Sequence, residues 1–134
     1  MKPTFVQSLK AGVFAGLISV AANNIWSFIA PLISGHPNPE AIHAGVVSMA
    51  SFMPIIIGSI VFFLVHKFTN KGNLIFMIVS VVVFIATAGG PFQAELPDGT
   101  MAPEGFAMFT FPMHIFSTIA AMWGIPKFSQ AKAA

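Results

Sequence analysis

The chain has 134 residues, of which 56% are hydrophobic and 7% charged, with a formal charge of +2. Soluble domains carry roughly 25% charged residues, so a water-soluble fold this short could not cover so much apolar surface, and a bilayer is the matching solvent. The lack of cysteine excludes a disulfide framework and a thiolate metal site, and so small a charge gives no ground for a nucleic-acid partner.

The length suits one domain. In chain order, the first apolar stretch covers 11–33. It is longer than the apolar region of a secretory signal, so a retained membrane span is expected there. The first connection, GHPNPEAIHAG, holds Asn38 as a candidate helix cap, Pro39 suited to a first helical position and Glu40 suited to the positive helix end. This predicts a second helix that starts before its apolar part (45–65) and carries His43 on its first turns. The turn NKGN at 70–73 makes the second and third spans antiparallel neighbours. The third span, 74–90, has a β-branched run that would suit a strand in water, but a lone strand in lipid leaves its backbone unpaired, so a helix is predicted. A long connection, GGPFQAELPDGTMAPEG, leads to the fourth span at 106–125. Loops of this length are lids, binding segments or mobile links. Pro103 and Glu104 suit a helix start, Pro126 a helix end, and QAKAA a solvated tail.

Each stretch is close to the ~20 residues that cross ~30 Å of hydrocarbon. The expected architecture is therefore all-α, a single-domain bundle of four transmembrane helices. Lys2, Lys10, Lys67, Lys71, Lys127 and Lys132 all fall on one side, and Glu40, Glu95, Asp98 and Glu104 on the other. By the positive-inside rule the lysine side is cytoplasmic, as are both termini.

A polar layer is expected at mid-depth, in which Asn23 and His114 meet each other away from lipid. Asn23 is near the centre of the first span and His114 near that of the fourth, inside TFPMHIF. Pro54 falls at a similar level and leaves the Ala50 carbonyl without its helical donor; Ser51 and Thr110 lie close by. Gly12, Gly16, Ser19, Asn23, Ser27 and Ala30 form one stripe of the first helix, and Thr110, His114, Ser117, Thr118 and Ala121 one of the fourth. Small residues allow close helix approach, so both stripes are expected to face protein. Asn24 points about 100° away from Asn23 and needs its own partner. Two readings of the layer stay open: hydrogen-bonded glue between helices, and the polar floor of a ligand pocket formed by Asn23, Asn24, Trp26, Ser51, Thr110 and His114, open outward between the first, second and fourth helices.

The layer also limits the chemistry. The spans hold no Asp, Glu, Lys or Arg, so His114 alone could relay protons. A haem held by two histidines needs a second one at compatible depth, and His66, His36 and His43 are elsewhere. No cofactor is expected. A serine–histidine–acid triad lacks its acid. On the outer side, His36, Glu40, His43 and Glu95 are weak candidates for a cation site and match no metal motif; a solvated acidic rim explains them more simply. Met49, Met53, Met108 and Met113 are explained by packing rather than copper. Trp123 fits an inner aromatic belt, and Trp26 a place in the bundle or on a cavity wall.

AGVFAGLISVAANNIW, the lysine-bearing inner turn, Pro91 after the third span and PMHIFSTIA together resemble a family of small bacterial four-helix membrane proteins of no established function. The resemblance implies a multi-pass protein of the bacterial cytoplasmic membrane and singles out Asn23 and His114, but it implies no activity. The outer loop looks longer than in such proteins. Three functions compete: binding, or passing across the membrane, of a small or lipid-like ligand; an intramembrane enzyme acting on a lipid or isoprenoid through His114; and an accessory subunit of a larger complex. Membrane lipids are the expected surroundings, and a homo-oligomer would supply further walls.

Overall fold

The structure, a computed structural model, describes residues 2–96 and 99–129. Asp98 and Lys132, assigned above to the outer and inner sides, lie outside them. Four helices are long and apolar enough to cross a membrane. They are Phe5–Ser34, Ala44–Phe68, Gly72–Phe92 and Phe106–Ser129, built on α1 (Phe5–Ser34), α2 (Ala44–Phe68), α3 (Gly72–Thr87) and α4 (Phe106–Ile119). A π-helical turn (Ala120–Gly124) and a short helix, α5 (Ile125–Ser129), continue the last of these.

The boundaries follow local chemistry, and three differ from expectation. Helix α1 starts ahead of its apolar stretch because Thr4 and Gln7 form a reciprocal capping box. It ends at Gly35, whose left-handed φ of 71° lets its N–H reach the Pro31 carbonyl. Helix α2 starts at Ala44, later than predicted, with His43 at the cap rather than on the first turns. Asn38 does not cap it. Its side-chain amide donates instead to the Ser27 carbonyl at 2.8 Å, and Pro39 sits in a tight turn closed by the Ile42 N–H. Pro103 and Glu104 likewise precede α4, which begins after Gly105. Pro126 does not end the last span. Its ring would press on the Met122 carbonyl of a regular α-helix, and the wider π-helical turn before it gives room.

Helix α1 is the centre of the assembly. Its buried residues include the whole predicted small-residue stripe. Gly12 and Gly16 lie against α2: a methyl group on Gly12 would stand 2.5 Å from the Ser59 Cβ, and one on Gly16 2.7 Å from the Phe52 ring. Near the lysine-bearing end, Gly124 meets Ala15 almost as closely. Two apolar clusters result. One holds Ala11, Ala15, Ile55, Phe62, Phe76 and Ile125. The other, toward the acidic connections, holds Ala30, Ile42, Val47, Phe109 and Met113. Ser19, Asn23, Ser51 and Ser117 fall between them along their helices, and form the polar layer.

Helix α3 is the outlier. Only Gly72 and Phe76 are buried, with the Phe76 ring edge-on to Phe62 of α2. The side chains of Leu74, Ile78, Val82 and Ile85 face outward, as lipid contact requires. Lysines gather at one end, where Lys2 Nζ donates to the Lys67 carbonyl at 3.4 Å and Lys127 Nζ lies 4.1 Å from the Trp123 ring. The connection after α3 folds into a small hairpin, with an antiparallel bridge between Glu95 and Met101 and the Leu96 N–H bonded to the Thr100 carbonyl.

Candidate functional site

A cavity of about 1110 Å³ lies among α2, α3 and α4. Helix α1 reaches it only through Asn23. This differs from the pocket expected between the first, second and fourth helices. The physical reason is the glycine stripe, which lets α1 close tightly on α2, while α3 stands away from α4. Glu40, His43, Gln93 and Leu96 line the cavity at the acidic end, so both connections there border its mouth. Val61, Phe76 and Ala121 line it toward the other end. Most of the wall is apolar, and its polar side chains come both from the mouth, with Glu40, His43 and Gln93, and from the helices, with Asn23, Ser51, His114 and Ser117 among them.

Asn23 is 2% exposed and is held by two hydroxyls, donating from Nδ2 to Ser51 Oγ at 2.7 Å and to Ser117 Oγ at 2.9 Å. Ser51 in turn gives its hydrogen to the Val47 carbonyl at 2.6 Å, one turn back on α2. Its oxygen can therefore only accept, which fixes the amide with nitrogen toward Ser51. Ser117 shares a further bond of 2.8 Å with Ser19. One continuous network thus joins α1, α2 and α4. The Asn23 Oδ1 atom is buried with no hydrogen-bond partner among the described residues.

His114 does not meet Asn23. Its Nε2 lies 2.8 Å from Thr87 Oγ1, and its ring stacks on Phe84 with centroids 5.3 Å apart. Both partners belong to α3. Thr87 Oγ1 also lies 2.7 Å from the Val83 carbonyl, and which of Thr87 and His114 supplies the hydrogen between them follows the tautomer of the ring. The other ring nitrogen, Nδ1, has no hydrogen-bond partner among the described residues. Asn23 and His114 consequently line the same cavity while bonding to different helices.

The other expected pocket residues divide. Ser51 and Thr110 line the cavity, and Thr110 bonds back to the Phe106 carbonyl. Asn24 turns away, donating to the Val20 carbonyl at 2.8 Å and to Ser48 Oγ at 3.1 Å. Trp26 pins α1 to α4 through an N–H bond of 3.0 Å to the Phe109 carbonyl, with its ring edge-on to Phe116. Neither Asn24 nor Trp26 is part of the wall. All five residues of the predicted α4 stripe are. On the outer side, Glu40 and His43 border the mouth, Glu95 sits in the hairpin and His36 pairs with Ser34. Among the described residues, no three His, Asp or Glu side chains form a group able to hold a metal ion.

Sequence reasoning missed Thr87 as the partner of His114 and Ser117 as the hub of the Asn23 network. Thr87 did carry a signal, a lone hydroxyl at the end of an apolar run. Pro112, which removes the helical donor to the Met108 carbonyl beside His114, was another. Comparison with protein families, with characterised proteins and with solved structures finds no match.

Proposed function

We propose that the protein binds a small lipid-like molecule in the cavity among α2, α3 and α4, as a multi-pass protein of a bacterial cytoplasmic membrane with both termini inside. The carrying observation is the cavity itself. Ligand pockets span roughly 300–1,000 Å³, and this one is as large as the biggest of them, apolar over most of its wall, with Asn23, Ser51, His114 and Ser117 among its polar lining residues. Such a wall suits an apolar body with one polar handle. The lysine–acid segregation supports the orientation, and the resemblance to small four-helix bacterial membrane proteins supports the membrane.

The test is to fill the cavity from α3, whose loose packing tolerates a larger side chain. Native mass spectrometry of the purified protein should show a retained small molecule, and Val83→Trp should release it while circular dichroism is unchanged. An identical set of retained molecules in both proteins would refute the proposal. A second reading, an intramembrane enzyme on a lipid or isoprenoid, draws on His114, a candidate general acid or base that lines the cavity. Turnover of added lipids that His114→Ala abolishes would favour it.

A further inference from the structure

We infer that the molecule accommodated in the cavity is an amphipathic alcohol, with its hydroxyl at His114; this rests on the ligand-binding reading above and names the head group. The first support is an accounting of hydrogens. Asn23 spends both amide hydrogens on Ser51 and Ser117, and its Oδ1 is left without a donor among the described residues. The Nε2 of His114 is taken by Thr87, in a bond whose direction follows the tautomer, and Nδ1 has no partner among the described residues. Asn23 Oδ1 is enclosed, whereas His114 is only partly buried and lines the cavity, so the imidazole is the group that a ligand reaches. Ser19 and Ser117 hold two hydroxyl hydrogens, and one suffices for the contact between them. With Ser19 donating, Ser117 on the cavity wall keeps its own to give. The wall thus offers uncharged hydrogen-bonding groups, an imidazole nitrogen and a serine hydroxyl. An alcohol, which both donates and accepts, complements that set.

Charge excludes the alternatives. Among the described residues no lysine lines the cavity, its one carboxylate is Glu40 at the mouth, and neither Glu95 nor Glu104 borders it. A carboxylate or phosphate head group would bring only acceptors and an unpaired negative charge, and an ammonium would bring a positive charge with no counter-ion at that level. Burying either unpaired is unfavourable. A plain hydrocarbon would leave Nδ1 of His114 without a partner. Beyond the polar layer, Val61, Phe76 and Ala121 provide an apolar surface for the chain of the alcohol.

Four probes of equal chain length separate these cases: hexadecanol, hexadecane, hexadecanoate and hexadecylammonium, each added to the protein in nanodiscs, with bound fractions read by native mass spectrometry. Hexadecanol should bind about tenfold more tightly than hexadecane, the worth of one hydrogen bond, and more tightly than either ion. His114→Phe keeps a ring to stack on Phe84 but removes Nδ1, and should bring hexadecanol and hexadecane to equal affinity. Should hexadecane match hexadecanol, or either ion equal or exceed it, in the unaltered protein, the head-group inference falls while the cavity remains a ligand site. Should none of the four bind, the ligand-binding reading falls and takes the inference with it. A preference for the alcohol that survives His114→Phe would also overturn the assignment, and the head-group series decides the matter even where that variant fails to fold.

Discussion

Asn38 donates its side-chain amide to the carbonyl of Ser27, the group that Pro31 leaves without its helical donor. A proline in the last turns of α1 would otherwise strand a carbonyl, and the connection that follows folds back to satisfy it. The same fold-back brings Glu40 and His43 to the cavity mouth. Asn38→Ala should therefore destabilise the protein by about 1–3 kcal/mol. In a Pro31→Ala background the restored backbone N–H takes over, and the same change should have little effect. A double-mutant cycle from detergent-induced unfolding measures this, and an equal effect in both backgrounds would contradict it.

The approach of α1 to α2 depends on the missing side chain at Gly12. A methyl group there meets Ser59 Cβ at 2.5 Å and Oγ at 2.6 Å, too close without movement of the helices. Overpacking of this kind costs about 1–3 kcal/mol. Gly12→Ala should lower stability by that amount, and adding Ser59→Gly should recover most of it. Failure of the second change to rescue the first would show that the two helices do not meet there.

Thr87→Val removes the hydroxyl bonded to His114 Nε2 while keeping the side-chain shape. Interhelical bonds of this type in membranes average about 0.6 kcal/mol, so global stability should fall only slightly. Because α3 is 6% buried across its span, the change should be local. Amide exchange should quicken in α3 and the adjoining part of α4, leaving α1 and α2 as before. A uniform rise across all four helices would contradict this picture.

Orientation is open to a direct test because the chain has no cysteine of its own. Lys71→Cys, in the turn between α2 and α3, should react with a membrane-impermeant maleimide only after cells are opened. Glu95→Cys, in the hairpin, should react on intact cells. The reverse pattern would place the termini outside.

In a bilayer the number of spans is a local property. Every backbone group in lipid must be bonded within its own segment, so an apolar stretch of the right length becomes a helix whatever its neighbours do. That is why the four spans, the sorting of lysines from acids and the buried stripe from Gly12 to Ala30 on α1 were legible from composition and periodicity. Boundaries were less legible where a side chain had two uses: Asn38 could cap α2 or serve Ser27, and only the path of the connection decides.

The sequence by itself thus determined four apolar helices, their alternation and the presence of polar groups at mid-depth. It placed Asn23, Ser51, Thr110 and His114 near one level, and the structure puts all four on one cavity wall. Partners were another matter. Asn23 took Ser51 and Ser117, and His114 took Thr87. Hydroxyls are interchangeable as bonding groups, and which one a side chain reaches depends on the rotation of each helix about its axis. Those rotations are set by packing between segments, here by Gly12 and Gly16 drawing α1 onto α2 and leaving α3 apart, so only the tertiary structure decided where the cavity opened and which side chains met.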